Sequence, residues 1–197
     1  MEYYCIIYKP FNVLSQFTSG EGKQTLKDIF EVPGDVYAVG RLDYDSEGLL
    51  ILTNDKKLNH QLLNPLFSHE REYWVQVDGE INNQAIIDLQ NGVDITVDGK
   101  VFRTKKCKAM PFKTPPVVPD RNPPIRVRKN LPTSWIKLIL SEGKNRQVRK
   151  MTAAVGFPTL RLIRYSIEKC TIEALQPGEM RILTQGEAYH FLFNNKK

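Results

Sequence analysis

The chain has only three cysteines among its 197 residues, Cys5, Cys107 and Cys170, and they lie far apart with no C-x-x-C pair. That scarcity argues against a disulfide framework or a cysteine zinc site. Histidine is equally rare, and His60, His69 and His190 accompany no G-x-S-x-G, so a nucleophile-elbow hydrolase has no support. Gly22-Lys23-Gln24 and Gly143-Lys144-Asn145 lack the rest of a Walker A phosphate loop. No stretch approaches the ~18 consecutive apolar residues of a membrane span. The opening MEYYCIIYKPFN carries no basic segment before an apolar run, so no secretory leader is expected, and the cytoplasm is the expected compartment.

What is present is a hydrophobic content of 41% and a charged content of 25%, enough for one or two small packed domains. The net charge of +6 hides a division along the chain. Residues 1–99 carry 7 Lys and Arg against 16 Asp and Glu, whereas residues 100–170 carry 18 against 3. A segment so basic suits a polyanionic partner, because clustered Lys and Arg gain binding free energy by releasing the counterions condensed on phosphates.

Hydrophobic periodicity gives the coarse organisation. Tyr3 to Tyr8 is apolar on both faces and predicts a buried strand, and Leu49 to Thr53 predicts a second. Between them a short helix over Thr25 to Phe30 and a short strand over Val36 to Val39 are expected. Asn54 or Asp55 is placed to cap a helix bearing Leu58, Leu62 and Leu63. Tyr73, Val75 and Val77 share one face of a strand, and Ala85, Ile86 and Leu89 one face of a helix ending near Gly92. Val93 to Val97 and Val101 to Lys108 flank Asp98-Gly99 as a hairpin. Seven prolines mark residues 111–132 as irregular. Beyond them come a strand at Trp135 to Leu140, a helix over Asn145 to Val155 and a strand at Leu160 to Ile167. The pattern predicts an α+β fold with a mixed, mainly antiparallel central sheet flanked by a few helices. Two subdomains, roughly 1–64 and 65–197, are expected to meet at a cleft.

One segment concentrates polar chemistry at an element edge: GRLDYDSEGLLILTND, residues 40–55. Taken alone, Asp43, Asp45 and Ser46 fit a turn whose side chains bond nearby amides. A calcium loop starts correctly, but Asn54 stands where a bidentate Glu is needed and an apolar strand replaces the loop's second half.

As a whole, that segment resembles the signature of the RNA pseudouridine synthases, within their RsuA-like branch: G-R-L-D, then G-L-L, then T-N-D. Three further segments match in order. KPFNVLS, residues 9–15, is similar to the opening K-P-x-G-x-x-S, with Asn12, a tolerated visitor to left-handed backbone, in place of glycine. Arg71-Glu72-Tyr73 resembles a basic-x-Tyr element, and SEGKNRQVRKM, residues 141–151, the third motif. The resemblance covers nearly the whole chain and includes no S4-type domain. It implies isomerisation of a uridine to pseudouridine in 23S-type large-subunit ribosomal RNA, without cofactor or metal; a monomer is expected.

The resemblance also implies roles. Asp43 would be the catalytic nucleophile or base, Arg41 would help flip the uridine, Tyr73 would stack on the extruded base, and Arg149 would face Asp43 as its cation. Arg126, Arg128, Lys144, Arg146, Arg161 and Arg164 are the candidate RNA contacts. The alternative is a noncatalytic RNA-binding ribosome-assembly factor on the same fold.

Overall fold

The computed structural model describes residues 2–125 and 132–193, and these divide into two compact units. The first comprises Met1–His69 with Ile163–Lys197, the second Glu70–Leu162. Residues beyond 163 therefore join the amino-terminal unit, where the expected division near residue 64 had set them apart.

In the first unit β1 (Tyr4–Lys9) is buried along its whole length. A two-residue strand, β2 (Tyr37–Ala38), precedes β3 (Glu47–Thr53). β1 and β2 both pair antiparallel with β3. β3 begins two residues earlier than the apolar run suggests, taking in Glu47 and Gly48. The expected helix after Thr25 is a single 3-10 turn, Leu26–Asp28, in which Asp28 accepts the Thr25 N–H at 2.7 Å and hydroxyl at 2.8 Å. Cys5, Ile7, Val13, Leu26, Phe30, Val36, Leu50 and Leu52 form the core beneath these strands.

Helix α1 (Lys56–Leu63) starts at Asp55, whose Oδ1 accepts the Lys57 and Leu58 N–H groups at 2.8 and 3.1 Å. Its Oδ2 accepts the hydroxyls of Tyr4 and Tyr189 at 2.9 and 2.8 Å. Burial pushes this carboxyl up, but the amide and hydroxyl bonds outweigh it and hold the group below its ordinary value.

The second unit opens with β4 (Arg71–Asp78), which alternates as expected, burying Tyr73, Val75 and Val77. Asn82 caps α2 (Asn83–Asn91) through the Ala85 N–H, and Ala85, Ile86 and Leu89 face inward. β5 (Asp94–Val97) and β6 (Lys100–Arg103) form the hairpin at Asp98-Gly99, both with positive φ. That hairpin is shorter than the sequence suggests. Thr104 turns the chain by accepting the Val93 N–H on its hydroxyl at 2.8 Å, and β7 (Lys108–Pro111) pairs instead with β8 (Thr133–Leu140). β8 also pairs antiparallel with β4, and α3 (Gln147–Ala154) contributes Val148 and Met151 to the same core.

β9 (Thr159–Ile167) carries the chain back into the first unit. There it runs parallel to β3, through Glu47↔Ile163 and Gly48↔Arg164. β10 (Cys170–Thr171) folds back on β9, β11 (Met180–Ile182) pairs with β1, and α4 (Gln185–Phe193) ends the described chain. The pairing of β11 with β1 and the Tyr189 hydroxyl on Asp55 attach the carboxy-terminal residues to the first unit. The fold is α+β with mainly antiparallel strands. Among the described residues no helix is long and apolar enough to cross a membrane, and no group of three or more His, Cys, Asp or Glu is placed to hold a metal ion.

Candidate active site

Asp43 lies half-buried in the first unit, on the turn between β2 and β3. The turn is closed by the Ser46 N–H, which donates to the Asp43 carbonyl at 3.0 Å. On the upstream side the Ser15 hydroxyl accepts the Leu42 N–H at 3.1 Å and donates to the Leu42 carbonyl at 2.8 Å. Arg41 is exposed two residues before Asp43, so the flipping arginine and the carboxylate implied by the resemblance share one loop.

Below the loop, Gly48 has φ +108, and a Cβ there would sit 2.4 Å from the Arg164 carbonyl oxygen. Only glycine permits this close approach of β3 to β9. The Arg164 guanidinium donates through Nε to the Leu49 carbonyl at 2.8 Å. A second buried cation, Lys9, ends β1. Its ammonium donates to the Val13 carbonyl at 2.7 Å, the Pro10 carbonyl at 2.8 Å and, more weakly, the Tyr44 carbonyl at 3.5 Å. Burial pushes the Lys9 pKa down to about 7, although Glu47, Asp45 and Asp43 pull it the other way. Asn12 takes the left-handed conformation, φ 57, that its place in KPFNVLS requires. Lys23 lies over the Tyr44 ring, 5.2 Å from its centroid.

In the second unit Tyr73 is 9% exposed and shares its apolar cluster with Val148 and Met151, which lie one residue before and two after Arg149 on α3. Arg149 is half-buried. Arg146 does not belong to the helix, as its spacing had suggested. It precedes α3 with φ 53, left-handed and exposed. The cause is local: the Gln147 side chain accepts the Lys144 N–H at 2.9 Å while the Gln147 N–H returns to the Lys144 carbonyl, closing a turn ahead of the helix. Lys144 is exposed, with its ammonium 4.9 Å from the centroid of Phe102.

Two of the RNA-contact candidates face inward. Arg161 and Arg164 are each 5% exposed, and Arg161 donates to the Pro119 carbonyl at 2.9 Å. Both guanidinium groups thus bond backbone carbonyls inside the fold, a role that their charge alone cannot distinguish from phosphate binding. Arg126 and Arg128 lie outside the described residues. Lys9 and Ser15 were not singled out from sequence as site residues, although both sit in the KPFNVLS segment that carried the resemblance.

These features fit one class of enzyme. A family model described as RNA pseudouridylate synthase matches residues 3–154, and the chain belongs to that family, isomerases that convert uridine in RNA to pseudouridine. Among its relatives, a protein of Vibrio parahaemolyticus named ribosomal large subunit pseudouridine synthase E is 48% identical over 89% of this chain and 71% of its own length. A protein of the same name from Xanthomonas campestris is 44% identical over 90% of this chain and 93% of its own. A crystal structure of a pseudouridylate synthase superposes with a TM-score of 0.76 at 27% identity, covering 98% of this chain and 74% of that one.

Proposed function

We propose that this enzyme acts on a uridine of large-subunit ribosomal RNA and that Asp43 is its reacting carboxylate. The relatives' names support the substrate. The observation that carries the assignment of Asp43 is its half-buried place on a turn pinned on both flanks, within the segment that resembles the family signature.

In the proposed reaction the bond between the ribose and N1 of uracil breaks, the ring turns, and C5 joins the same sugar carbon. N1 gains the proton that C5 gives up, so the change is a net isomerisation. Asp43 serves as nucleophile or base, and either role requires the ionised form. A uridine in a helical stem must leave the stack first, and exposed Arg41, on the same loop, assists that step. Tyr73 stacks on the extruded base, and Arg149 is the cation assigned to the catalytic set. Lys144 and Arg146, exposed before α3, and Arg126 and Arg128 contact phosphate. Arg161 and Arg164 are assigned to the fold. Such work would place the protein in the cytoplasm.

Pseudouridine mapping in ribosomal RNA from cells with and without the protein tests the substrate. One missing large-subunit site is expected. An unchanged large-subunit map would reject this substrate. For Arg149, exchange to Met is expected to lower the single-turnover rate by at least about 10-fold, with Lys retaining part of the activity because it keeps the charge and loses the planar fork. An unchanged rate would remove Arg149 from the catalytic set.

A further inference from the structure

We infer that Ser15 is a positioning residue for Asp43, acting on the peptide that leads into the catalytic carboxylate. The inference rests on Asp43 being the reacting group.

A single hydroxyl reaches 27 residues along the sequence to occupy both polar groups of Leu42. It accepts the Leu42 N–H and donates to the Leu42 carbonyl, the carbonyl of the peptide unit that contains the Asp43 nitrogen. Ser15 and Leu42 are 6% and 7% exposed, so water does not readily replace either bond. Ser15 is in turn fixed by its neighbours. The Leu14 N–H donates to the Gln24 carbonyl at 2.9 Å, and the Leu26 N–H donates to the Gln16 carbonyl at 3.0 Å. Lys9 ties the start of the same segment through the Pro10 and Val13 carbonyls.

On the far side of Asp43 the Ser46 N–H holds the Asp43 carbonyl, and Lys9 reaches the Tyr44 carbonyl. The peptides before and after Asp43 are thus both tied, which fixes the backbone that carries its side chain. That is the preorganisation a carboxylate needs if it must meet one atom of a flipped nucleotide, where a misplacement of about 1 Å can cost on the order of 10²-fold in rate.

The bland reading is that Ser15 only satisfies buried backbone. The second unit contains the matching control. Ser134 likewise bridges a carbonyl and an amide of one loop, donating to Gly79 at 2.9 Å and accepting from the Ile81 N–H at 2.9 Å. It lies on β8, and no catalytic role is assigned to it.

The experiment compares Ser15→Ala, Ser15→Cys, Ser15→Thr and Ser134→Ala by single-turnover rate at saturating enzyme, RNA Kd and Tm, with Asp43→Asn alongside. Ser15→Ala is expected to lose about 10- to 100-fold in rate with Kd unchanged. Ser15→Thr restores most of the rate by returning the hydroxyl. Ser134→Ala lowers Tm without changing the rate by more than about twofold. Should Ser15→Ala fail to fold, Ser15→Cys keeps the volume with a weak donor and acceptor and is expected to lose rate in the same sense. A folded Ser15 variant that turns over like Ser134→Ala, or whose rate loss is matched by weakened RNA binding, overturns the inference. An active Asp43→Asn enzyme would instead remove the reading on which it rests.

Discussion

The two units treat charge in opposite ways. In the first, Lys9, Asp55 and Arg164 are buried and held by hydrogen-bond partners, and Glu47 on β3 is buried as well. In the second, Arg161 is the one charged side chain in the buried class among the described residues, while Lys105, Lys106, Lys108, Lys144 and Arg146 are exposed. A buried charge is costly unless it is bonded, so it survives where it holds something in place. An exposed cation costs little and attracts phosphate. On the proposed function, positioning falls to the first unit and most of the RNA affinity to the second.

The sharpest break in the first unit would come at Gly48. An alanine there meets the Arg164 backbone and must also hold a positive φ, so Gly48→Ala is expected to cost at least about 3 kcal/mol or to prevent folding. Urea unfolding would show it, and a loss below about 1 kcal/mol would contradict the close approach of β3 to β9.

Lys9 offers a test of the buried charge itself. Its native pKa lies near 7, whereas an unfolded lysine titrates near 10.4, so between these values the unfolded chain binds more protons. Stability contributed through this group therefore rises with pH across that window and is level below it. Compared with Lys9→Met, the wild type should gain roughly 1 to 3 kcal/mol between pH 6.5 and 9.5, as measured by denaturant melts, because other titrations cancel in the difference. Parallel curves would mean that Lys9 keeps an ordinary pKa.

In the second unit the effects should be confined to binding. Replacing Lys144 and Arg146 together with Ala is expected to lower the slope of log K against log salt by up to about 1.8 units, at roughly 0.7 to 0.9 per phosphate contact. Stability should change by no more than about 0.5 kcal/mol, as for most exposed positions. Arg126 and Arg128 would act in the same sense if they also meet phosphate. An unchanged slope would place the RNA track on other cations.

Much of this contrast was legible from sequence. Alternation fixed the inward face of β4, a cap at Asn54 or Asp55 announced α1, with Asp55 the one used, and the left-handed Asn12 followed from the KPFNVLS pattern. What escaped depends on tertiary contact. Arg161 and Arg164 look like any other arginines in a basic stretch until burial separates them. The strand pairing of Lys108–Pro111 with β8 is non-local, so no hairpin signal marks it. α4 was overlooked although Thr184 and Glu187 form a capping box at its start, with the Glu187 carboxylate accepting the Thr184 N–H at 2.7 Å. Lys9 and Ser15 act through bonds to backbone carbonyls and amides, which a residue pattern does not display.

The most direct measurement is of Asp43→Asn, which keeps the shape of the side chain but is neither nucleophile nor base. Isomerisation of ribosomal RNA and an RNA binding titration would be followed on the same preparation. The account predicts turnover below detection with an RNA Kd within about twofold of wild type, since chemistry sits in the first unit and affinity mainly in the second. Turnover above a few per cent of wild type, or a loss of binding equal to the loss of rate, would contradict it.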